Sequence, residues 1–202
     1  DPTFGAVAAS FNSNTVASLT YSTVKTNTAV LAEGVGQSFA LTTATDNTAV
    51  AGTTKDDVYS ALVDLATTNS TLTSSDNIAA GAGADSLTIT ATGADAESVT
   101  GVTTSGLESI LLTNLATAGK GLTIDAALMD GVTSIAVANS TANGDNTFTN
   151  VGALAAASMS ANAGDLTLTY GTTVVAGTSD TQALTVTGTN GTFTADGIET
   201  IA

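Results

Sequence analysis

Residues 106–114 read GLESILLTN, and the same pattern returns 25 residues later as GVTSIAVAN at residues 131–139. An earlier copy reads GADSLTIT at residues 83–90, and a weaker copy reads ASMSAN at residues 157–162. Each copy places a Ser near apolar residues at alternate positions, which is typical of a strand with one buried face. A repeat of roughly 20–29 residues indicates stacked coils, each of which buries its apolar face against its neighbours.

A second series of short alternating segments lies between these copies, as GLTID at residues 121–125, NTFTN at 146–150, DLTLTY at 165–170 and TFTA at 192–195. Two strands per repeat favour an all-β fold, a parallel β-helix or β-solenoid-like stack with coils of about 24 residues. We expect this repeat region to span residues 86–202 and to continue beyond it. The alternative is an antiparallel β-sandwich, which would place Ile110 and Ile135 in separate sheets instead of on top of each other.

The regions before residue 86 carry weaker patterns. Residues 1–36 are interpreted as a β segment that continues a preceding module. Residues 37–90 are acidic and contain glycines, and within them the three- and four-residue spacing of apolar side chains predicts a helical turn at Ala61–Leu65. Farther along, Asn114, Asn139 and Asn162 take the same place in successive copies. Their amides could stack as a ladder that satisfies backbone groups of the turns.

The composition excludes several classes of function. The chain has 18 acidic residues, three Lys and neither Arg, His nor Cys, which gives a net charge of −15. Nucleic-acid binding needs a basic surface, so no nucleic-acid partner is expected. Disulfides and nucleophilic catalysis by Ser/His or Cys/His are excluded, and we expect no enzyme activity. No apolar run is long enough to span a membrane as a helix.

Acidic and small residues alternate with glycines between residues 46 and 85. Carboxylate and carbonyl oxygens are the ligands that Ca²⁺ prefers, so calcium is the expected cofactor. Residues 76–87 read DNIAAGAGADSL and resemble one turn of the calcium-binding RTX nonapeptide, with Ala80 where its first Gly is expected. A glycine-rich turn with solvated carboxylates is the competing interpretation. The candidate metal ligands are Asp46, Asp56, Asp57, Asp76, Asn77, Gly81, Gly83 and Asp85.

The order of these motifs over residues 37–202 resembles the modules of bacterial surface-layer proteins and of large RTX-type secreted surface proteins. That resemblance implies an extracellular location at the bacterial cell surface. It also implies a structural role, self-association into a lattice or filament, and dependence on calcium. The alternative function is that of an adhesin or phage-fibre segment that binds a cell-surface polysaccharide or other glycan.

Overall fold

The computed structural model describes residues 35–47, 51–66, 69–119 and 121–202, and every regular element in these ranges is a β-strand. Apart from residues 35 and 36, the predicted β segment at residues 1–36 lies outside the described residues. Residues 36–202 form one unit. Its strands are β1 (Ser38–Ala40), β2 (Val58–Asp64), β3 (Asn77–Ala79), β4 (Ser86–Gly93), β5 (Glu97–Val99), β6 (Thr103–Ser105), β7 (Ser109–Ala116), β8 (Leu122–Asp125), β9 (Ser134–Ala138), β10 (Asn146–Val151), β11 (Ala156–Ser160), β12 (Leu166–Tyr170), β13 (Thr181–Gln182), β14 (Leu184–Thr187), β15 (Phe193–Asp196) and β16 (Thr200–Ile201).

The strands stack as the coils of a parallel β-solenoid. A seven-stranded sheet, called the large sheet below, has the order β1-β2-β4-β7-β9-β11-β14. A five-stranded second sheet has the order β15-β12-β10-β8-β5, and the pairs β3-β6 and β13-β16 make short ladders on a third side. Every strand pair is parallel, and successive strands of the large sheet are offset by 20 to 28 residues.

The register confirms the predicted solenoid and excludes the antiparallel sandwich. Ile110 pairs directly with Ile135, as the coil model requires. The same row of the large sheet contains Tyr59, Leu87 and Ala157, and all five side chains are buried. Because alternate strand residues point to opposite faces, one row of apolar side chains per position fills the interior along the axis.

The predicted helical turn at Ala61–Leu65 is wrong, because this segment lies almost wholly within β2. Tyr59, Ala61 and Val63 point inward and are buried, while Leu62 is half-buried on the other face. Leu62, an apolar residue on the outer face of β2, produced the three- and four-residue spacing that is typical of a helix.

The second coil is irregular where later coils have a strand of the second sheet. No strand is assigned to the described residues between β2 and β3, so β5 is the outer strand of the second sheet. The coil instead turns through residues 69–76, where the backbone N–H of Leu62 donates to the Thr71 hydroxyl at 2.8 Å. This leaves one edge of the second sheet without a neighbouring strand from the described residues.

Candidate functional site

Three acidic side chains lie one above another where the chain enters the large sheet. We call Asp57, Asp85 and Glu108 the acidic corner. The backbone N–H of Asp57 donates to Asp85 Oδ1 at 2.6 Å, and the N–H of Asp85 donates to Glu108 Oε2 at 2.7 Å. Asp57 Oδ1 in turn accepts the N–H of Gln37 at 2.6 Å. Each acid therefore closes the corner of the preceding coil by accepting a backbone proton that the parallel ladder leaves unpaired.

Asp57 has a full set of partners, whereas Asp85 does not. Thr53 donates both its backbone N–H, at 2.6 Å, and its hydroxyl, at 3.1 Å, to the Asp57 carboxylate. Asp85 is fully buried, and its Oδ2 atom has no hydrogen-bond partner among the described residues. Burial raises the pKa of Asp85, and the charges of Asp57, Glu108 and Asp56 raise it further, against the opposing effect of the hydrogen bond from the Asp57 N–H.

The phenol of Tyr59 lies near this corner. Its hydroxyl is buried and has no hydrogen-bond partner among the described residues. Burial raises the pKa of Tyr59 strongly, and the charges of Asp57 and Asp85 add to the effect, so the phenol stays neutral. An unpartnered carboxylate oxygen and an unpartnered phenol make the acidic corner a place where a proton or a cation would be stabilised.

Asp46 and Asp76 form a second pair of stacked acids, and both are buried. The N–H of Asp46 donates to Asp76 Oδ1 at 2.9 Å. Thr42 donates its N–H and hydroxyl to Asp46, and Thr73 does the same for Asp76, at distances of 2.6 to 3.1 Å. The structure thus divides four of the five predicted acidic ligands between two stacks.

The remaining predicted ligands take other places. Asp56 is exposed and accepts the N–H of Ala84 at 2.8 Å, and Asn77 is exposed at the start of β3. Gly81 has a φ of +101°, and a Cβ there would lie 2.1 Å from the Thr53 carbonyl oxygen. Gly83 has a φ of +145°. Both positions therefore require glycine for backbone reasons that do not depend on a ligand.

Within the described ranges, no group of three or more acidic side chains is arranged to hold a metal ion. Most carboxylate oxygens of the two stacks accept backbone or threonine protons instead. Calcium binding therefore stays a prediction. Asp85 Oδ2 is a buried oxygen of the acidic corner that has no hydrogen-bond partner among the described residues, so it could accept a cation. A cation there would supply a positive charge between Asp85 and its acidic neighbours.

A stack of neutral side chains lies where the chain leaves the large sheet, and we call Asn114, Ser140 and Asn162 the amide corner. The N–H of Asn114 donates to Ser140 Oγ at 2.9 Å, and the N–H of Ser140 donates to Asn162 Oδ1 at 3.1 Å. All three are buried. The prediction that Asn139 belongs to this ladder is wrong by one residue. Asn139 has a φ of 55° and is exposed, which moves Ser140 into the stack.

Two groups of residues in the acid stacks were not predicted from the sequence. Thr42 and Thr53 each precede a buried aspartate by four residues, a spacing that could have been read as a side-chain turn motif. Glu108 was seen as part of the repeat but not as a site residue. Its position directly before β7 matches that of Asp85 directly before β4, and this equivalence could have placed it in the acidic corner.

No helix in the described part of the chain is long and apolar enough to cross a membrane. No protein-family model, no curated protein and no solved structure matches this chain.

Proposed function

We propose that this chain is a structural building block of an extracellular surface layer or matrix at the bacterial cell surface, which assembles with copies of itself and is stabilised by calcium. The stacking of the coils carries this proposal, because each coil buries its apolar row only against a neighbouring coil, as the coil of β14 illustrates. Val186 pairs with Met159, which pairs with Val137. Met159 and Val137 are at most 1% exposed, whereas Val186 is 51% exposed although it occupies the same inward row.

The edges of the same coil are suited to further pairing. β14 and β15 are the outer strands of the large and second sheets, and Ile201 in β16 is 54% exposed. Outer strands present unpaired N–H and C=O groups that can pair with another chain. Any further coil of matching shape, including one from a second copy, would bury the apolar row and continue three ladders at once.

Charge supplies the reason for calcium. A chain with a net charge of −15 repels its own copies, and divalent cations reduce that repulsion. The acidic corner adds a local reason, because the buried Asp85 oxygen lacks a partner. Calcium bound in this part of the solenoid would raise both the stability of the coils and the tendency to assemble.

The test is assembly of the purified chain, followed by light scattering and electron microscopy in calcium and in chelator. We expect sheets or filaments in calcium and smaller species after chelation. Val186→Lys should prevent assembly, because a charge replaces an apolar side chain in the inward row that coils bury against each other. Thr185→Lys is the matched control, since its exposed side chain lies on the opposite face of β14. Unchanged assembly of Val186→Lys, or a monomer under all conditions, would contradict the proposal.

A further inference from the structure

A cleft of about 370 Å³ lies beside the free edge of β5. It exists because the second coil turns through residues 69–76 instead of placing a strand next to β5. Its walls carry the hydroxyls of Ser74, Ser98 and Thr100, all on exposed residues. Its volume falls within the range of small-molecule sites, roughly 300–1,000 Å³.

The cleft combines an apolar surface with one carboxylate. Leu72 and Val99 are buried core residues that also line the cleft. Glu97 lines it too, and its strand position pairs with that of the buried Leu122, so its side chain is on the core-facing side of β5. It is half-buried, and no hydrogen bond from the described residues reaches its carboxylate.

From these features we propose that the cleft binds a neutral sugar unit of a glycan. A carboxylate accepts two hydroxyl protons from adjacent carbons of a sugar ring, and serine and threonine hydroxyls both donate and accept. The nearly buried side chains of Leu72 and Val99 form an apolar base beneath these polar groups, next to which the C–H face of a ring would lie. No Lys lines the cleft, so an anionic ligand would face Glu97 without a compensating charge.

This site is independent of the assembly proposed above, because it lies at the second and third coils and not at the coil of β14 and β15. A chain that binds sugar without assembling, or assembles without binding sugar, would separate the two proposals. Binding at this cleft would make the solenoid a ligand-presenting surface as well as a scaffold.

The experiment is saturation-transfer difference NMR on the full chain with methyl glycosides of glucose, galactose, mannose and N-acetylglucosamine. Methyl glucuronide serves as the charged counterpart of methyl glucoside. We expect transfer to at least one neutral glycoside and none to the glucuronide. Absence of transfer to every neutral glycoside, or equal transfer to the glucuronide, would overturn the proposal.

Two substitutions locate the binding. Glu97→Gln should weaken the affinity at least tenfold, because a charged acceptor is replaced by a neutral amide, and Ser98→Leu should abolish binding by filling the cleft. Asp130→Asn is the control, since this exposed acid lies outside the cleft. Circular dichroism of each variant checks that the solenoid is folded. Binding that survives both cleft substitutions in folded protein would place the sugar elsewhere and refute the assignment.

Discussion

The acidic corner and the amide corner both provide acceptors for backbone N–H groups at the ends of strands, but with different side chains. In both, a side-chain oxygen accepts the backbone N–H of the coil before it, as Asp85 does for Asp57 and Asn162 does for Ser140. The amide corner does so without charge, and Asn162 also donates its Nδ2 proton to the Gly164 carbonyl at 2.6 Å. The acidic corner instead places carboxylates on adjacent coils, where the charges of Asp57 and Glu108 add to the effect of burial in raising the pKa of Asp85.

The difference shows that closing a coil does not require acids. Neutral side chains close the coils where the chain leaves β7, β9 and β11, whereas acids close them where it enters β2, β4 and β7, so the acids bring a property that the amides lack. That property is sensitivity to protons and cations, because a carboxylate titrates and attracts cations by its charge, whereas an amide does not titrate and carries no charge. The predictions below test whether the two corners differ in this way.

The largest effect is expected for Asp57→Ala. The substitution removes the acceptor of two backbone N–H groups, those of Gln37 and Thr53, at a fully buried position. Unsatisfied donors of this kind cost about 1–3 kcal/mol each, so we expect the free energy of unfolding to fall by about 3 kcal/mol. Urea denaturation in chelator measures the loss. Asp56→Ala is the matched control on the neighbouring exposed acid, and an equal loss there would contradict the assignment.

The next effect sharpens the comparison by making the amide corner acidic. Asn162→Asp keeps the acceptor for Ser140 but loses the proton given to Gly164, and it buries a charge. We expect a loss of about 2 kcal/mol at pH 7, part of which returns below pH 4 when the new carboxyl is protonated. Urea denaturation at both pH values measures it. The same substitution at the exposed Asn143 should have little effect, and a similar loss there would show that burial is not the cause.

The smallest effect concerns Asp85→Asn. The pKa of Asp85 is raised above its ordinary value of 3.8. Between these two pKa values, the folded chain therefore keeps a proton on Asp85 that the unfolded chain has released. Stability from this group therefore falls as the pH rises from 3.8 through the raised pKa. Asn still accepts the Asp57 N–H without charge, so the variant should be about 1 kcal/mol more stable than the parent at pH 7 in chelator, with a flatter pH profile.

In calcium, we expect the parent to gain stability relative to Asp85→Asn, the opposite of the difference expected in chelator. If Asp85 Oδ2 contributes to a cation site, saturating calcium raises the melting temperature of the parent and leaves Asp85→Asn unchanged. Thermal melts of both chains, with and without calcium, make the comparison. An equal rise in the melting temperature of the two chains would exclude Asp85 from any calcium site. If Asp85→Asn were less stable than the parent in chelator, the charge of Asp85 would not destabilise the fold.

The sequence was sufficient to predict the coils but not their corners. A Ser followed by alternating apolar residues determines which face of a strand is buried, and the strands that share this pattern pair in register, as Ile110 and Ile135 do. The amide ladder was misplaced because the positive φ of Asn139 shifts the chain by one residue after β9. A left-handed residue of this kind leaves no periodic signal in the sequence.

The acids posed a different difficulty. Alternating Asp and Gly residues fit a calcium loop and a hydrogen-bonded turn equally well, since both need carboxylate oxygens and a permissive backbone. The choice depends on which N–H groups face each carboxylate, and these come from a coil 28 residues away in the case of Asp57 and Asp85. Such partners exist only once the coils have stacked, so composition and local spacing could not reveal them.

The bonds of both corners run in one direction along the chain. Asp57 accepts a backbone proton from Gln37, and Asn162 accepts one from Ser140, so the donor always belongs to the earlier coil. A polypeptide is synthesised from its N-terminus. The corner N–H groups of each coil therefore gain their side-chain acceptors only when the next coil has been made and has stacked. Shortening the stack from its C-terminal side removes the side-chain acceptors of these corner N–H groups, whereas shortening it from the other side leaves those acceptors without their corner donors. The solenoid thus has a polarity of growth in addition to its polarity of sequence.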